Sequence, residues 1–212
     1  MLRTRYFSSF FAIALTLGSS SPSSADTRLR IESPTDGTVV LGGQSLVVNV
    51  SAPVGAFEFV GIAGREPIGI GYIARTPPYK FVFHIPASHF KPGLCRLTAV
   101  ARPPSGGPVY SEPISIDIER PDAPIALWTM TPRLSLVVGR QEGFDVDGRY
   151  ADRSEVGLER STFTKYEADP PGIVSVAVDG LVTALAPGSA TITVTHKGLT
   201  TRVKVTVTEK EP

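Results

Sequence analysis

The chain has 212 residues, of which 42% are hydrophobic, and its 21 basic and 20 acidic side chains leave a formal net charge of +1. This length allows one large or two ordinary domains, because domains most often hold about 100–150 residues. A charge so close to zero creates no global field that would attract a polyanion, so a nucleic-acid partner is not expected. The 20 glycines and 19 prolines indicate many turns and few long helices, which favours an all-β fold.

Residues 1–25 are predicted to form a cleaved signal peptide. Arg3 and Arg5 provide a basic start, an apolar run follows at 10–15, and small residues precede the predicted cleavage site before Asp26. The apolar run is too short for the hydrocarbon core, which takes about 20 residues to cross, and no other segment of the chain is long enough. We therefore predict export without a membrane span; an uncleaved anchor is the alternative.

Cys95 is the single cysteine, so no disulfide can form within one chain even in an oxidising compartment. A lipid-modified N-terminus is excluded as well, because that route needs a cysteine directly after the leader. Cys95 shares a predicted strand face with Leu97 and Ala99, and free cysteine commonly behaves as a small buried hydrophobe. We expect a buried thiol; a reactive or dimer-forming thiol is the alternative.

Residues 26–120 contain short alternating segments separated by turn residues, a pattern typical of a β-sandwich or barrel. Apolar residues at every second position fall on one face of a strand. The clearest sets are Leu46, Val48 and Val50; Phe81, Phe83 and Ile85; and Ile114, Ile116 and Ile118. Asp117 and Glu119 belong to the polar series and are expected on the solvent face. A sheet with one apolar face needs a second layer, so we predict an immunoglobulin-like sandwich of about seven strands.

Two prolines within residues 121–124 interrupt this pattern and predict an extended, fairly stiff linker. A second domain follows at 125–212, and it is rich in the valine and threonine that suit pleated surfaces. Its last strand alternates Val203, Val205 and Val207 with polar residues. The sequence thus predicts an all-β protein of two tandem sandwiches.

The most recognisable residues of the second domain lie between 172 and 194. They are Gly172-Ile173-Val174-Ser175-Val176, Asp179-Gly180-Leu181-Val182-Thr183, Pro187-Gly188 and Ile192-Thr193-Val194. Asp179-Gly180 is a hairpin turn signal. On these residues the segment from Ile125 to Thr208 resembles a group 2 bacterial immunoglobulin-like domain, the module found in tandem in invasin- and intimin-type surface proteins. The first domain resembles immunoglobulin-like domains of exported bacterial proteins in general pattern only.

The second domain departs from this family at one position. The family usually has a core tryptophan a few residues before an Asp-Pro-like turn, and at that spacing from Asp169 this chain has Lys165. The neighbours of Lys165 are Phe163 and Tyr166. We expect one of these two rings to fill the space of the missing indole.

Asp145, Asp147 and Asp152 superficially suggest a calcium loop, because carboxylates are suitable calcium ligands. The spacing does not match an EF-hand, which needs ligands at alternate positions and a distal glutamate. Phe144 and Val146 instead mark an ordinary half-buried strand. We expect exposed strand carboxylates; a weak ion site between the domains is the alternative.

His84, His89 and His196 are the only histidines. A zinc site normally brings together three or four ligands. The three histidines are predicted on the polar face of a strand, in a loop, and beside the Lys197-Gly198 turn, and nothing in this placement makes them converge. We predict three solvated surface residues and no metal site.

No catalytic or cofactor-binding residues are predicted. The sequence lacks a Gly-x-Ser-x-Gly elbow, a Walker-type phosphate loop and a dinucleotide fingerprint. Exposed aromatic residues and an uncovered edge strand are the features expected to contact a partner. The candidate segments are 56–60 and 68–72, with Trp128 near the start of the second domain.

The sequence therefore predicts an exported, non-catalytic binding or structural module that is secreted, periplasmic or attached to the cell surface. Its partner is expected to be a protein or a glycan, and the family resemblance implies adhesion. The first alternative is an accessory or spacer subunit of an exported enzyme or envelope assembly. The second is an unrecognised hydrolase.

Overall fold

The computed structural model describes residues 28–64 and 70–209, and every regular element in these ranges is a β-strand. The predicted signal peptide at 1–25 lies outside the described residues, as does the part of the candidate segment 68–72 that precedes Ile70. The described ranges contain no helix with the length and apolar character needed to span a membrane. The all-β prediction is confirmed.

The first sandwich is formed by strands β1 to β9. In chain order they are β1 (Arg30–Ser33), β2 (Thr38–Leu41), β3 (Ser45–Ser51), β4 (Phe59–Gly64), β5 (Ile70–Ala74), β6 (Tyr79–His84), β7 (Gly93–Arg102), β8 (Val109–Tyr110) and β9 (Ile114–Glu119). One sheet has the order β1-β3-β6, and the other has the order β2-β9-β7-β4-β5 with β8 also paired to β7. The two sheets enclose one hydrophobic core, as in a two-layer sandwich.

The first sandwich has more strands than the seven or so expected for its class, because its first and last strands are each interrupted. A turn at 34–37 divides the first strand, so that β1 pairs antiparallel with β3 while β2 runs parallel to β9 in the other sheet. Residues 111–113 divide the last strand into β8 and β9, which pair with different parts of β7. The divided first strand therefore contributes to both layers.

The predicted alternation is confirmed in the core of the first sandwich. Its buried residues include Leu46, Val48 and Val50 of β3, Phe81 and Phe83 of β6, Ile85, and Ile116 and Ile118 of β9. Cys95 is fully buried on β7 together with Leu97 and Ala99, which confirms the expected buried thiol. Burial raises the pKa of this thiol to about 11, so it is protonated at neutral pH.

The second sandwich is formed by strands β10 to β19. They are β10 (Ala126–Trp128), β11 (Arg133–Val137), β12 (Gln141–Gly143), β13 (Asp147–Arg149), β14 (Glu155–Gly157), β15 (Thr164–Asp169), β16 (Val174–Val176), β17 (Leu181–Ala184), β18 (Gly188–His196) and β19 (Leu199–Thr208). Their sheets have the orders β11-β19-β18-β15, β12-β17-β16 and β10-β13-β14. As in the first sandwich, an early strand runs parallel to the last one, here β11 beside β19.

The core of the second sandwich also follows the predicted pattern. Val203, Val205 and Val207 of β19 are all at most 3% exposed. Tyr166, one of the two neighbours of Lys165, packs edge-on against the buried ring of Phe144 with 5.8 Å between ring centroids. One of the two expected rings is therefore packed against this core.

The turn between β16 and β17 has the local geometry that its sequence predicts. Gly180 has a φ of +80°, a left-handed conformation that glycine adopts without a steric penalty. Its amide donates to the carbonyl of Ala177 at 3.0 Å, and the amide of Leu181 donates to the carboxylate of Asp179 at 3.3 Å. These bonds close the antiparallel hairpin of β16 and β17.

The two hydrophobic cores have no residue in common. The buried residues of the first core lie between Leu29 and Ile118, and those of the second lie between Leu134 and Val207. This separation agrees with two sandwiches of independent packing. The exact boundaries, with a linker at 121–124, stay a prediction.

Candidate functional site: the junction between the sandwiches

Arg120 directly follows β9, and its side chain is only 2% exposed. Its Nε and Nη2 donate to the two carboxylate oxygens of Asp122 at 3.0 and 2.9 Å. Its Nη1 donates to Oγ of Ser154 at 2.8 Å, and its Nη2 is 3.4 Å from the carboxylate of Asp152. The guanidinium carbon lies 3.6 Å from the ring centroid of Tyr150. The last residue of the first sandwich is thus anchored in the second.

The charges around Arg120 support one another. Burial opposes the positive charge of Arg120, but the hydrogen bonds and charge of Asp122 outweigh this effect and raise its pKa. Bonds from the hydroxyl and amide of Ser154, with a smaller contribution from Arg120, lower the pKa of Asp152 to about 2. Burial raises the pKa of Tyr150 to about 12. At neutral pH the site therefore holds a cation, carboxylates and a neutral phenol.

Glu119 corrects one sequence prediction. Its place in the polar series of β9 predicted exposure, but the residue is only 1% exposed. Its Oε2 accepts a hydrogen bond of 2.7 Å from Oγ of Ser161, and its Oε1 accepts one of 2.8 Å from the amide of Thr162. Residues 161 and 162 belong to the second sandwich and cover this end of β9. Burial raises the pKa of Glu119, and the two hydrogen bonds partly oppose the rise.

Lys197 holds the linker from the turn between β18 and β19. Its Nζ donates to the carbonyls of Arg120 and Asp122 at 2.7 and 2.9 Å, and it lies 3.4 Å from that of Pro121. The same ammonium lies 4.8 Å from the ring centroid of Phe163. Burial lowers the pKa of Lys197, although nearby carboxylates oppose this. A side chain of the second sandwich therefore satisfies the backbone carbonyls of the linker.

His196 corrects a second prediction, because it is 1% exposed rather than solvated. Thr164 Oγ1 donates to the carbonyl of Leu158 at 2.7 Å, so the 2.8 Å contact between Thr164 Oγ1 and His196 Nδ1 has the ring nitrogen as donor. Burial, assisted by the charge of Lys197, lowers the pKa of His196 to about 4. The signal was present in the sequence, since Ile192, Val194 and His196 occupy the same face of β18.

The other two histidines lie where the sequence places them. His84 is exposed on the outer face of β6, and His89 is exposed in the loop that follows. Nδ1 of His89 is 2.7 Å from Oγ of its neighbour Ser88. The structure does not bring the three histidines together, and no group of three or more metal-ligating side chains is placed to hold an ion within the described residues.

Of the three carboxylates that suggested a calcium loop, two accept hydrogen bonds from nearby residues. Asp145 accepts hydrogen bonds from the amide of Met130 and from the hydroxyl of Thr131, the latter at 2.7 Å. Asp152 accepts bonds from Ser154 and from Arg120. Asp147 is half-buried on β13. Asp152 is the one of the three that takes part in the junction.

The aromatic candidates differ in their exposure. Phe57 packs against the first core, while Phe59 and Trp128 are half-buried. Tyr72 of β5 is 63% exposed, and its ring meets the buried ring of Phe83 edge-on at a centroid distance of 5.3 Å. Of these candidates, Tyr72 is the one that presents most of its surface to solvent.

A cleft of about 580 Å³ lies between the sandwiches beside this junction. Lys91 on one wall is 3.9 Å from Glu159 on the other. A Cβ built on Gly93, whose φ is +145°, would come within 3.1 Å of Cβ and the carbonyl oxygen of Arg160. The glycine therefore permits a close approach of the two backbones where Gly93 and Arg160 line the cleft.

This arrangement of paired sheets defines the chain as an all-β protein with two immunoglobulin-like sandwiches. Residues 127–208 match the family model described as bacterial Ig-like domain (group 2). The second sandwich therefore matches the group 2 bacterial immunoglobulin-like family over these residues, as the sequence predicts. No curated protein matches the chain.

Several solved structures resemble parts or most of the chain. Fibronectin(III)-like modules of Clostridium thermocellum CbhA share 18% identity over 45% of this chain and 100% of that chain, with a TM-score of 0.38. The S-layer protein SbsC shares 16% identity over 88% of this chain, with a TM-score of 0.36, and the match spans 28% of the S-layer chain. A chimeric titin Z1Z2 tandem shares 13% identity over 87% of this chain and 100% of that chain, with a TM-score of 0.31.

Proposed function

We propose that the chain is an exported, non-catalytic module that holds its two sandwiches in a defined orientation and presents their surfaces to a protein or glycan partner. The observation that carries this proposal is the buried polar junction centred on Arg120. It joins the end of β9 to Ser154, Asp152 and Tyr150 of the second sandwich. A pre-set orientation lowers the entropic cost of binding with both sandwiches at once.

The compartment is inferred from two features. The N-terminal sequence has the order of basic, apolar and small residues that signal peptides share. The second sandwich is of a bacterial immunoglobulin-like type. Both features support a secreted, periplasmic or surface-attached protein, with adhesion as one role of such a module.

The chemistry of the junction supports a structural role for its ionisable groups. Glu119 is held by two donors, and the ring of His196 is buried and uncharged at neutral pH. Arg120 and Lys197 are bound to carboxylates and backbone carbonyls. A general acid or base must reach a substrate proton, and these groups are instead committed to each other or buried.

The test measures binding of the purified protein to envelope polysaccharide, envelope vesicles and host matrix glycoproteins. Arg120→Ala should leave both sandwiches folded, loosen their orientation in small-angle scattering, and weaken binding that uses both surfaces. Arg149→Ala, at an exposed arginine of β13, is the matched control and should bind like the unchanged protein. Turnover of ester, peptide or glycoside substrates that one serine or histidine substitution abolishes would contradict the proposal.

The second candidate is a spacer or accessory subunit of an exported enzyme or envelope assembly. It is favoured by the way Lys197 fixes the linker carbonyls, because a spacer needs a stiff connection more than a binding surface. A spacer would copurify with its assembly and tolerate surface substitutions. It would lose function when the two sandwiches are separated by an inserted flexible linker.

A further inference from the structure

Strand β5 is an outer strand of the larger sheet of the first sandwich. Within the described residues, β4 is the strand that pairs with it, through Gly64↔Ile70 to Val60↔Ala74. In an antiparallel sheet every second residue of an outer strand directs its N–H and C=O away from its neighbour. Such a row of unpaired backbone groups is a template for another strand.

Charged residues protect both outer strands of the smaller sheet, but not β5. β1 carries Arg30 and Glu32, and β6 carries Lys80, all of them charges that disfavour edge-to-edge pairing. The five residues of β5 include neither a charged residue nor a proline. Outer strands of natural sheets commonly carry a charged residue or a proline that disfavours pairing with another strand. Because β5 has neither, its edge is open to such pairing.

Strand β2 is a second uncharged outer strand, but its backbone is partly satisfied. The amide of Thr38 donates to the carbonyl of Thr35 at 3.2 Å. The amide of Leu41 donates to Oε1 of Gln44 at 3.1 Å. With four residues and two occupied amides, β2 offers less to an incoming strand than β5 does.

The side chains of β5 fit a second copy of the same strand. In antiparallel pairing, the register that matches all five residues is centred on Tyr72, so that Tyr72 faces Tyr72 and Gly71 faces Ile73. A Cβ built on Gly71 would have no atom within 4 Å, so the space above it is open to the exposed side chain of an opposing Ile73. Directly opposed aromatic rings stabilise cross-strand pairs, and no like charges meet in this register.

We propose that β5 pairs antiparallel with β5 of a second copy of this chain, centred on Tyr72, so that two first sandwiches share one continuous sheet. The pairing covers Tyr72 and Ile73, which are 63% and 59% exposed. It also covers the outer side of Tyr72, whose ring already rests on Phe83. A net charge of +1 per chain gives little repulsion between copies.

The decisive experiment is thiol crosslinking of the purified protein with a short bis-maleimide. Tyr72→Cys should crosslink into a covalent dimer, because the two substituted positions are directly opposed in this register, with Cβ atoms about 4.5–5.5 Å apart. Native Cys95 is fully buried and should not react. Tyr110→Cys is the matched control: Tyr110 is 64% exposed on β8 of the same sheet, away from the β5 edge, so this variant should form no covalent dimer.

Sedimentation over a range of protein concentrations gives a second, independent measurement. Ile73→Lys should shift the protein from dimer to monomer, because the lysines of the two copies would lie diagonally across the paired edge on the same face, and Tyr110→Lys should leave the dimer intact. Both sites are exposed, so circular dichroism should show folded protein in each case. A monomer at all concentrations, or equal crosslinking of Tyr72→Cys and Tyr110→Cys, would overturn the proposal.

Discussion

Nδ1 of His196 donates to Oγ1 of Thr164 at 2.8 Å, inside the second sandwich and next to the turn that carries Lys197. The ring is fully buried, and its Nε2 has no hydrogen-bond partner among the described residues. A proton added to Nε2 would place a second positive charge beside Lys197 in a desolvated site. The second sandwich is therefore more stable when the imidazole of His196 is neutral than when it is protonated.

Stability should consequently fall in mild acid. Burial lowers the pKa of His196 from 6.5 to about 4, so between these values the unfolded chain takes up a proton that the folded chain does not. The contribution is complete above pH 6.5 and is lost as the pH falls towards 4, by at most about 3 kcal/mol. Urea unfolding at a series of pH values between 4 and 7 measures this loss in the free energy of unfolding. His196→Gln should flatten the dependence in this window, and His84→Gln, at an exposed histidine, should leave it unchanged.

Tyr150→Phe should leave the free energy of unfolding unchanged or raise it by about 1 kcal/mol. The hydroxyl of Tyr150 is buried and has no hydrogen-bond partner among the described residues, so its removal relieves a desolvation cost. The ring under Arg120 is retained. Tyr150→Leu removes the ring and should destabilise. If thermal unfolding showed a large loss for Tyr150→Phe, the hydroxyl would have a partner that this geometry does not include.

Gly93→Ala should destabilise the contact between the sandwiches. The new Cβ would come within 3.1 Å of Arg160, at a backbone φ of +145° that is itself strained for alanine. Gly106→Ala is the matched control, because Gly106 also has a positive φ, of +94°, but no atom within 4 Å of a new Cβ. We expect a loss of about 1–3 kcal/mol for Gly93→Ala and a smaller one for the control. Equal losses would mean that backbone strain, not the contact, explains the effect.

Val205→Asp should unfold the second sandwich. Val205 is 1% exposed in the core, and an unpaired buried charge costs several kcal/mol against a total stability of about 5–15 kcal/mol. Lys204→Asp, one residue earlier on the exposed face of β19, should be mild by comparison. Chemical denaturation gives the free energy of unfolding of both variants. Similar decreases in the two variants would show that the two faces of β19 are not distinct.

The strand faces could be read from the sequence because period-two alternation depends on neighbours along the chain. Val203, Val205 and Val207 show this alternation on β19. Cys95 shows it on β7, where it shares the buried face with Leu97. Glu119 could not be placed in this way, since the donors that satisfy it, Ser161 and Thr162, lie 42 and 43 residues later and in the other sandwich.

The junction depends on the same kind of distant contact. Arg120 meets Ser154 across 34 residues, and the linker carbonyls meet Lys197 across 75 to 77 residues. The proline-containing segment 121–124 indicates an extended connector, and this pattern gives no sign that Arg120 beside it is buried. Arg120 is buried because residues of the second sandwich cover it. The alternation of residues along a single strand does not reveal a contact of this kind.

The parallel pairing of β11 with β19 has a mechanical consequence. The two strands are aligned over the five residue pairs from Arg133↔Lys204 to Val137↔Thr208. Tension that pulls β11 towards the N-terminus and β19 towards the C-terminus acts along these strands in opposite directions. The ladder hydrogen bonds then carry the load together, instead of opening one after another from one end. Because β2 and β9 repeat this arrangement in the first sandwich, tension applied in the same way across that pair loads it in shear as well.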